Sequence, residues 1–148
     1  MLNGNGEWPD ELSTAITFLD AEHRKLAQGY LELMRDVQDK TEPRHFLEDF
    51  RNLLEETRAH FVHEERIMGN INYPHLYEHR IAHNRLLDDF ADFLNNIGNG
   101  FAKQDFHALA EYFKYWFLDH VRGYDVKLKF FIDRFETEPT QRKSANSP

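Results

Sequence analysis

The feature that most constrains this chain is the run His60-Phe61-Val62-His63-Glu64-Glu65, set inside a long apolar stripe. Phe46, Leu47, Phe50, Leu53, Leu54, Thr57, Phe61 and Met68 recur around it at three-and-four spacing, the period of a helix with one buried face. His60 and Glu64 are four residues apart, so they project from one face of that helix, one turn apart. An imidazole and a carboxylate aimed into a core are costly unless something satisfies them. Together they make half of a metal site, and other helices must supply the rest.

The chain has the residues to do so. Four helical patterns follow one another, joined by short breakers. Residues 1–19 read as an arm, with Trp8-Pro9, Leu12, Ile16, Phe18 and Leu19 packing it along the body of the protein. Asp20 is placed to cap the first helix, and Glu22 falls in its first turn, facing the positive end of the dipole. That helix carries His23 and then Leu26, Tyr30, Leu33 and Val37, ending near Asp39-Lys40. Thr41-Glu42-Pro43 starts the second, with proline in the first turn, and Gly69-Asn70 ends it. Asn72-Tyr73-Pro74 leads into the third, which bears His79 and His83 and closes at Gly98-Asn99-Gly100. The fourth starts near Lys103, runs through Phe106, Leu109, Phe113, Trp116 and Phe117 to His120, and is weakened by Gly123. A last helical stretch covers Asp125 to Phe135, and the polar tail 136–148 is expected to be disordered. No strand pattern, repeat or domain boundary intervenes. The expectation is one all-α domain over 1–148, with residues 20–135 forming an up-down-up-down antiparallel four-helix bundle flanked by an N-terminal arm and a short C-terminal helix.

Each helix therefore offers at least one histidine. His79 and His83 form a second i, i+4 pair, able to bind one ion from one face. Asp125 follows His120 by five residues, and at about 100° per residue a regular helix would leave the two roughly 140° apart. Asp125 can join the site only if the backbone widens between them, and Gly123 marks the place for a π-type turn. Five imidazoles and two carboxylates suit two ions rather than one. With no cysteine in the chain, iron–sulfur clusters and thiolate sites are excluded. The nitrogen and oxygen donors point to iron, with manganese or zinc behind it. Spacing leaves two choices open. His75 stands four before His79, as His83 stands four after it, and Glu56 precedes His60 as Glu64 follows it. Glu56 and Glu65 read as solvated helix-face charges, and His45, His63, His75 and His107 as surface residues.

Net charge is −8 with histidines neutral, so a partner that needs a basic patch, whether nucleic acid or an anionic membrane, is not expected. The first ten residues hold no apolar run, and the cytoplasm is the expected location.

These motifs together resemble those of the hemerythrins, the bacterial single-domain ones above all. The likeness rests on Leu19-Asp20-Ala21-Glu22-His23, on His60-Phe61-Val62-His63-Glu64, on Tyr73-Pro74 followed by His79 and His83, and on Trp116-Phe117-Leu118-Asp119-His120 followed by Asp125. It runs from about Trp8 to Phe135. The resemblance implies reversible dioxygen binding, for carriage, storage or sensing, at a non-haem di-iron centre with an oxo or hydroxo bridge. It implies His79, His83 and His120 on one iron, His23 and His60 on the other, and Glu64 and Asp125 bridging both. Dioxygen would sit as hydroperoxide at the open position of the two-His iron, in a pocket walled by Phe117, Trp116 and Phe61. Phe117 stands where the family usually has leucine, and Phe18 where an aliphatic residue is usual. The alternative is a di-iron enzyme, an oxidase, a peroxidase or a nitric-oxide-handling protein. Oxygen-activating bundles typically use four carboxylates with Glu-x-x-His pairs, which these positions lack, so binding is favoured over catalysis. The tail leaves room for an unidentified protein partner to dock.

Overall fold

The computed structural model describes residues 2–38, 43–96 and 103–137. The order is a 3₁₀ turn at Asp10–Leu12, α1 (Thr17–Gln38), α2 (Pro43–Asn70), α3 (Leu76–Asn96), α4 (Lys103–His120), a π turn at Val121–Asp125, and α5 (Val126–Thr137). The expected all-α bundle is what forms, and no strand occurs among the described residues. Helix α2 starts on Pro43, whose missing N–H costs nothing at a first helical position. The breakers at 39–42 and 97–102, and the tail 138–148, lie outside the described residues.

Helix α1 packs on α2 and on α4, and α2 packs on α3. Phe90 and Phe113, stacked with centroids 3.7 Å apart, close the ring between α3 and α4. Gly29 lets α1 and α2 approach closely, since a Cβ there would meet the Leu53 side chain at 2.8 Å. The apolar stripes named above turn inward: Leu26, Tyr30, Leu33, Phe46, Phe50, Leu86, Phe90 and Phe113 are all buried. A second, smaller cluster gathers Leu19, Met68, Tyr73 and Leu128. Along every helix the inward histidines and carboxylates fall between these two apolar clusters. The bundle thus has a large core above the polar layer and a small one below it.

Two local expectations are corrected. Helix α1 begins at Thr17 rather than after Asp20, so Asp20 is not its N-cap. The Asp20 carboxylate instead accepts from the Ser13 hydroxyl at 2.6 Å, and from the Thr14 backbone N–H and hydroxyl, both at 2.9 Å. It ties the preceding loop down onto α1, where Ala15 sits at a left-handed φ of 65°. The last helix runs on to Thr137.

The break after His120 is where the five-residue spacing places it. The Val126 N–H reaches the Val121 carbonyl five residues back, and this wider turn carries Asp125 round to the face of His120. No helix among the described residues is long and apolar enough to cross a membrane.

Candidate metal centre

His23 comes from α1, His60 and Glu64 from α2, His79 and His83 from α3, His120 from the end of α4 and Asp125 from the π turn. All seven side chains are buried, with 4 % exposure at most. They form two overlapping sets of mutually close donor atoms. One holds Glu64, His79, His83, His120 and Asp125; the other holds His23, His60, Glu64 and Asp125. Glu64 and Asp125 belong to both. Of the two histidines that spacing left open, His83 is buried in the cluster and His75 is exposed. Glu64 likewise lies inside, whereas Glu56 pairs with Lys25 at the surface, 2.8 Å away.

Contacts within the cluster fit a bound cation better than a self-contained hydrogen-bond network. The Nε2 atom of His120 lies 3.0 Å from Nε2 of His83 and 3.2 Å from Nε2 of His79. His83 is engaged through Nδ1 with Glu65, so its neutral form presents an Nε2 lone pair to its neighbours. Asp125 lies 3.1 Å from His23, 3.0 Å from His79 and 3.1 Å from His120. Yet neither Asp125 oxygen finds a hydrogen-bond partner of acceptable geometry, and nor do Glu64 Oε1 and His23 Nε2. Buried polar atoms orphaned at 3 Å from one another are what metal-ligand atoms look like when an ion would fill the space between them.

The electrostatics agree. Burial and the neighbouring Asp125 would raise the Glu64 carboxyl, but His60, His79 and His83 outweigh them and hold it well below the ordinary carboxylate range. Burial would also raise Asp125, and His120, His23 and His79 hold it far down. Burial alone would lower His79, whereas Asp125 and Glu64 carry it up to about 9. His120 goes down, because burial outweighs the pull of Asp125. Both carboxylates therefore stay anionic, as ligands must.

Rings pack around the cluster on every side. Phe61 stacks on His83 at 3.7 Å and 7°, and Trp116 stacks on His120 at 4.7 Å and 10°. Both thus lie over the three-His set. Phe117 stands beside His23 at 6.0 Å, and Trp8 from the arm lies 5.4 Å from the same ring. Tyr124 covers the other face of His120 at 5.0 Å and 11°.

Some contributors are not where spacing put them. Glu65 is no solvated charge: it accepts from Nδ1 of His83 at 2.9 Å and from Nε of Arg80 at 2.9 Å. Glu22, rather than answering the dipole, takes Nδ1 of His60 at 2.8 Å and Nδ1 of His63 at 2.7 Å. His63 is therefore tied to the site through Glu22, unlike the exposed His45 and His107. The available signal was position: Glu22 and Glu65 each neighbour a cluster residue in sequence, about 100° round the helix toward the adjoining one. Trp8 gave no such signal.

A family model described as a hemerythrin HHE cation-binding domain matches residues 14–129. A myohemerythrin from Riftia pachyptila is 29 % identical over 122 residues, covering 82 % of this chain and 89 % of its own length. A bacteriohemerythrin from Pseudomonas paraeruginosa is 25 % identical over 119 residues, 80 % of this chain and 76 % of its own. One from Stenotrophomonas maltophilia is 24 % identical over 135 residues, 88 % and 86 %. No solved structure matches significantly.

Proposed function

This chain belongs to the hemerythrin family, and from that premise we propose that it binds dioxygen reversibly at a pair of non-haem irons. His79, His83 and His120 would hold one iron and His23 and His60 the other, with Glu64 and Asp125 shared between them. The observation that carries this reading is the overlap of the two donor sets in those two carboxylates, three imidazoles on one side and two on the other. The set with one imidazole fewer would leave room for a ligand, so dioxygen would enter beside His23 and His60. When bound, an iron pair would supply the redox chemistry that lets dioxygen bind and leave again.

The protein's own part is to keep that position dry and short of protons. Phe117 and Trp8 wall the His23 side, with ring centroids 6.1 Å apart. The Trp8 indole N–H is occupied by the Leu12 carbonyl at 3.1 Å, so it presents its ring rather than its donor. Tyr30 stands behind Phe117 at 5.4 Å. Burial pushes its phenol up, against the opposing pull of the Thr57 hydroxyl, so it keeps its proton. Phe61 and Trp116 wall the three-His side and fix its rings. Few protons and little water favour binding over reductive activation.

The test is anaerobic reduction, admission of air, then removal of oxygen, with the visible spectrum recorded throughout. A charge-transfer band that appears and disappears over repeated cycles is expected. One-way conversion to the diferric form, or turnover of an added reductant, would favour an oxidase or peroxidase instead.

A further inference from the structure

Two carboxylates outside the seven repeat one arrangement, once for each half of the cluster. Glu22 stands beside His23 on α1 but reaches across to His60 on α2, and Glu65 stands beside Glu64 on α2 but reaches across to His83 on α3. In each case the histidine donates its Nδ1–H, at 2.8 and 2.9 Å, which leaves the Nε2 lone pair aimed at the centre. In each case the second oxygen takes a basic group nearer the surface, His63 at 2.7 Å for Glu22 and Arg80 at 2.9 Å for Glu65. By contrast, Nδ1 of His23 and Nδ1 of His120 are buried without a partner. Each donor set thus contains a ring anchored by a carboxylate and a ring that is not.

We infer that Glu22 and Glu65 are positioning residues that each lock one imidazole per metal position. This rests on the two-iron reading above. A carboxylate on Nδ1–H pushes electron density to Nε2 and makes the ring a stronger donor. Their outer partners, His63 and Arg80, hold the two carboxylates in place from the surface side.

Glu22→Gln and Glu65→Gln keep the size and one acceptor oxygen while removing the charge. Co(II) alone is titrated into the metal-free wild type and both variants, followed by its visible bands. The midpoint potentials of the iron-loaded proteins and the melting of the metal-free ones are then measured. The expected result is two Co(II) per chain throughout and unchanged metal-free melting. Affinity at one of the two positions falls by about 10- to 100-fold in each variant. The midpoint potential rises in both. Unchanged affinity and potential in both variants would overturn the inference. So would lowered metal-free melting with an unmoved potential, which would mark both residues as merely structural. Uptake of only one Co(II) by the wild type would overturn the two-metal reading itself; two Co(II) with unaltered variants would overturn this inference alone.

Discussion

Phe117 is buried against three rings, Trp8, His23 and Tyr30, with centroids 6.1, 6.0 and 5.4 Å away. Its bulk could either fill the space a diatomic ligand needs or keep water from it. The ring meets His23 edge-on at 6.0 Å and 71°, and a diatomic ligand is small, so exclusion is expected to be the larger effect. Phe117→Ala should then speed loss of the oxygenated spectrum, and should cost on the order of 3 kcal/mol of stability as a truncated core aromatic. Equal or slower decay at the same pH and temperature would show that the ring does not protect the site. The buried charges lead to a second prediction, for the metal-free chain. His79 sits at about 9, above its ordinary 6.5, so its contribution is complete below about pH 6.5 and lost as pH rises toward 9. At 1.36 kcal/mol per pKa unit that is about 3 kcal/mol. Glu64 is shifted the other way, so its contribution holds above its ordinary 4.5 and fades as pH falls. The metal-free melting temperature should therefore drop between pH 6.5 and 9. The iron-loaded protein should show no such drop, because metal replaces the protons on the imidazoles. A metal-free protein that grows more stable over that interval would contradict the assignment. All seven buried residues were legible from helical spacing together with the family resemblance. Their partners Glu22 and Glu65 were not. Each bonds across to another helix, and spacing within one helix does not encode how its neighbour is rotated against it.

The π turn at Val121–Asp125 is the element that completes the site. It could be read in the sequence because five residues cannot bring two side chains to one face of a regular helix. The start of α1 could not be read so well. A residue suited to capping looks the same whether it caps its own helix or, like Asp20, holds the loop before it. Gly123 lies inside the π turn, yet a Cβ there would meet nothing within 4 Å. The wide turn is therefore not held by the glycine's lack of a side chain. Val121 and Asp125, at its two ends, are both buried. Gly123→Ala should leave the metal content unchanged and raise stability by about 0.4–1 kcal/mol, through a less flexible unfolded chain. Loss of metal in that variant would mean that the glycine itself makes the turn.

At the scale of the whole molecule, a phenylalanine-rich core and a smaller apolar cluster enclose one layer of polar side chains. That layer has the donor atoms to hold a cation. Four helices each deliver an imidazole from a rigid element, and the two shared carboxylates bring the two donor sets together. The bundle was predictable because its stripes are strongly periodic and its breakers short. The closing of the arm over His23 through Trp8 was not, since nothing in a polar, glycine-rich stretch fixes its path. The proposed centre holds two irons in this layer. The most direct measurement is iron and zinc per chain, by elemental analysis of protein produced with ample iron. Close to two irons per chain is expected; one zinc per chain and no iron would contradict a di-iron centre.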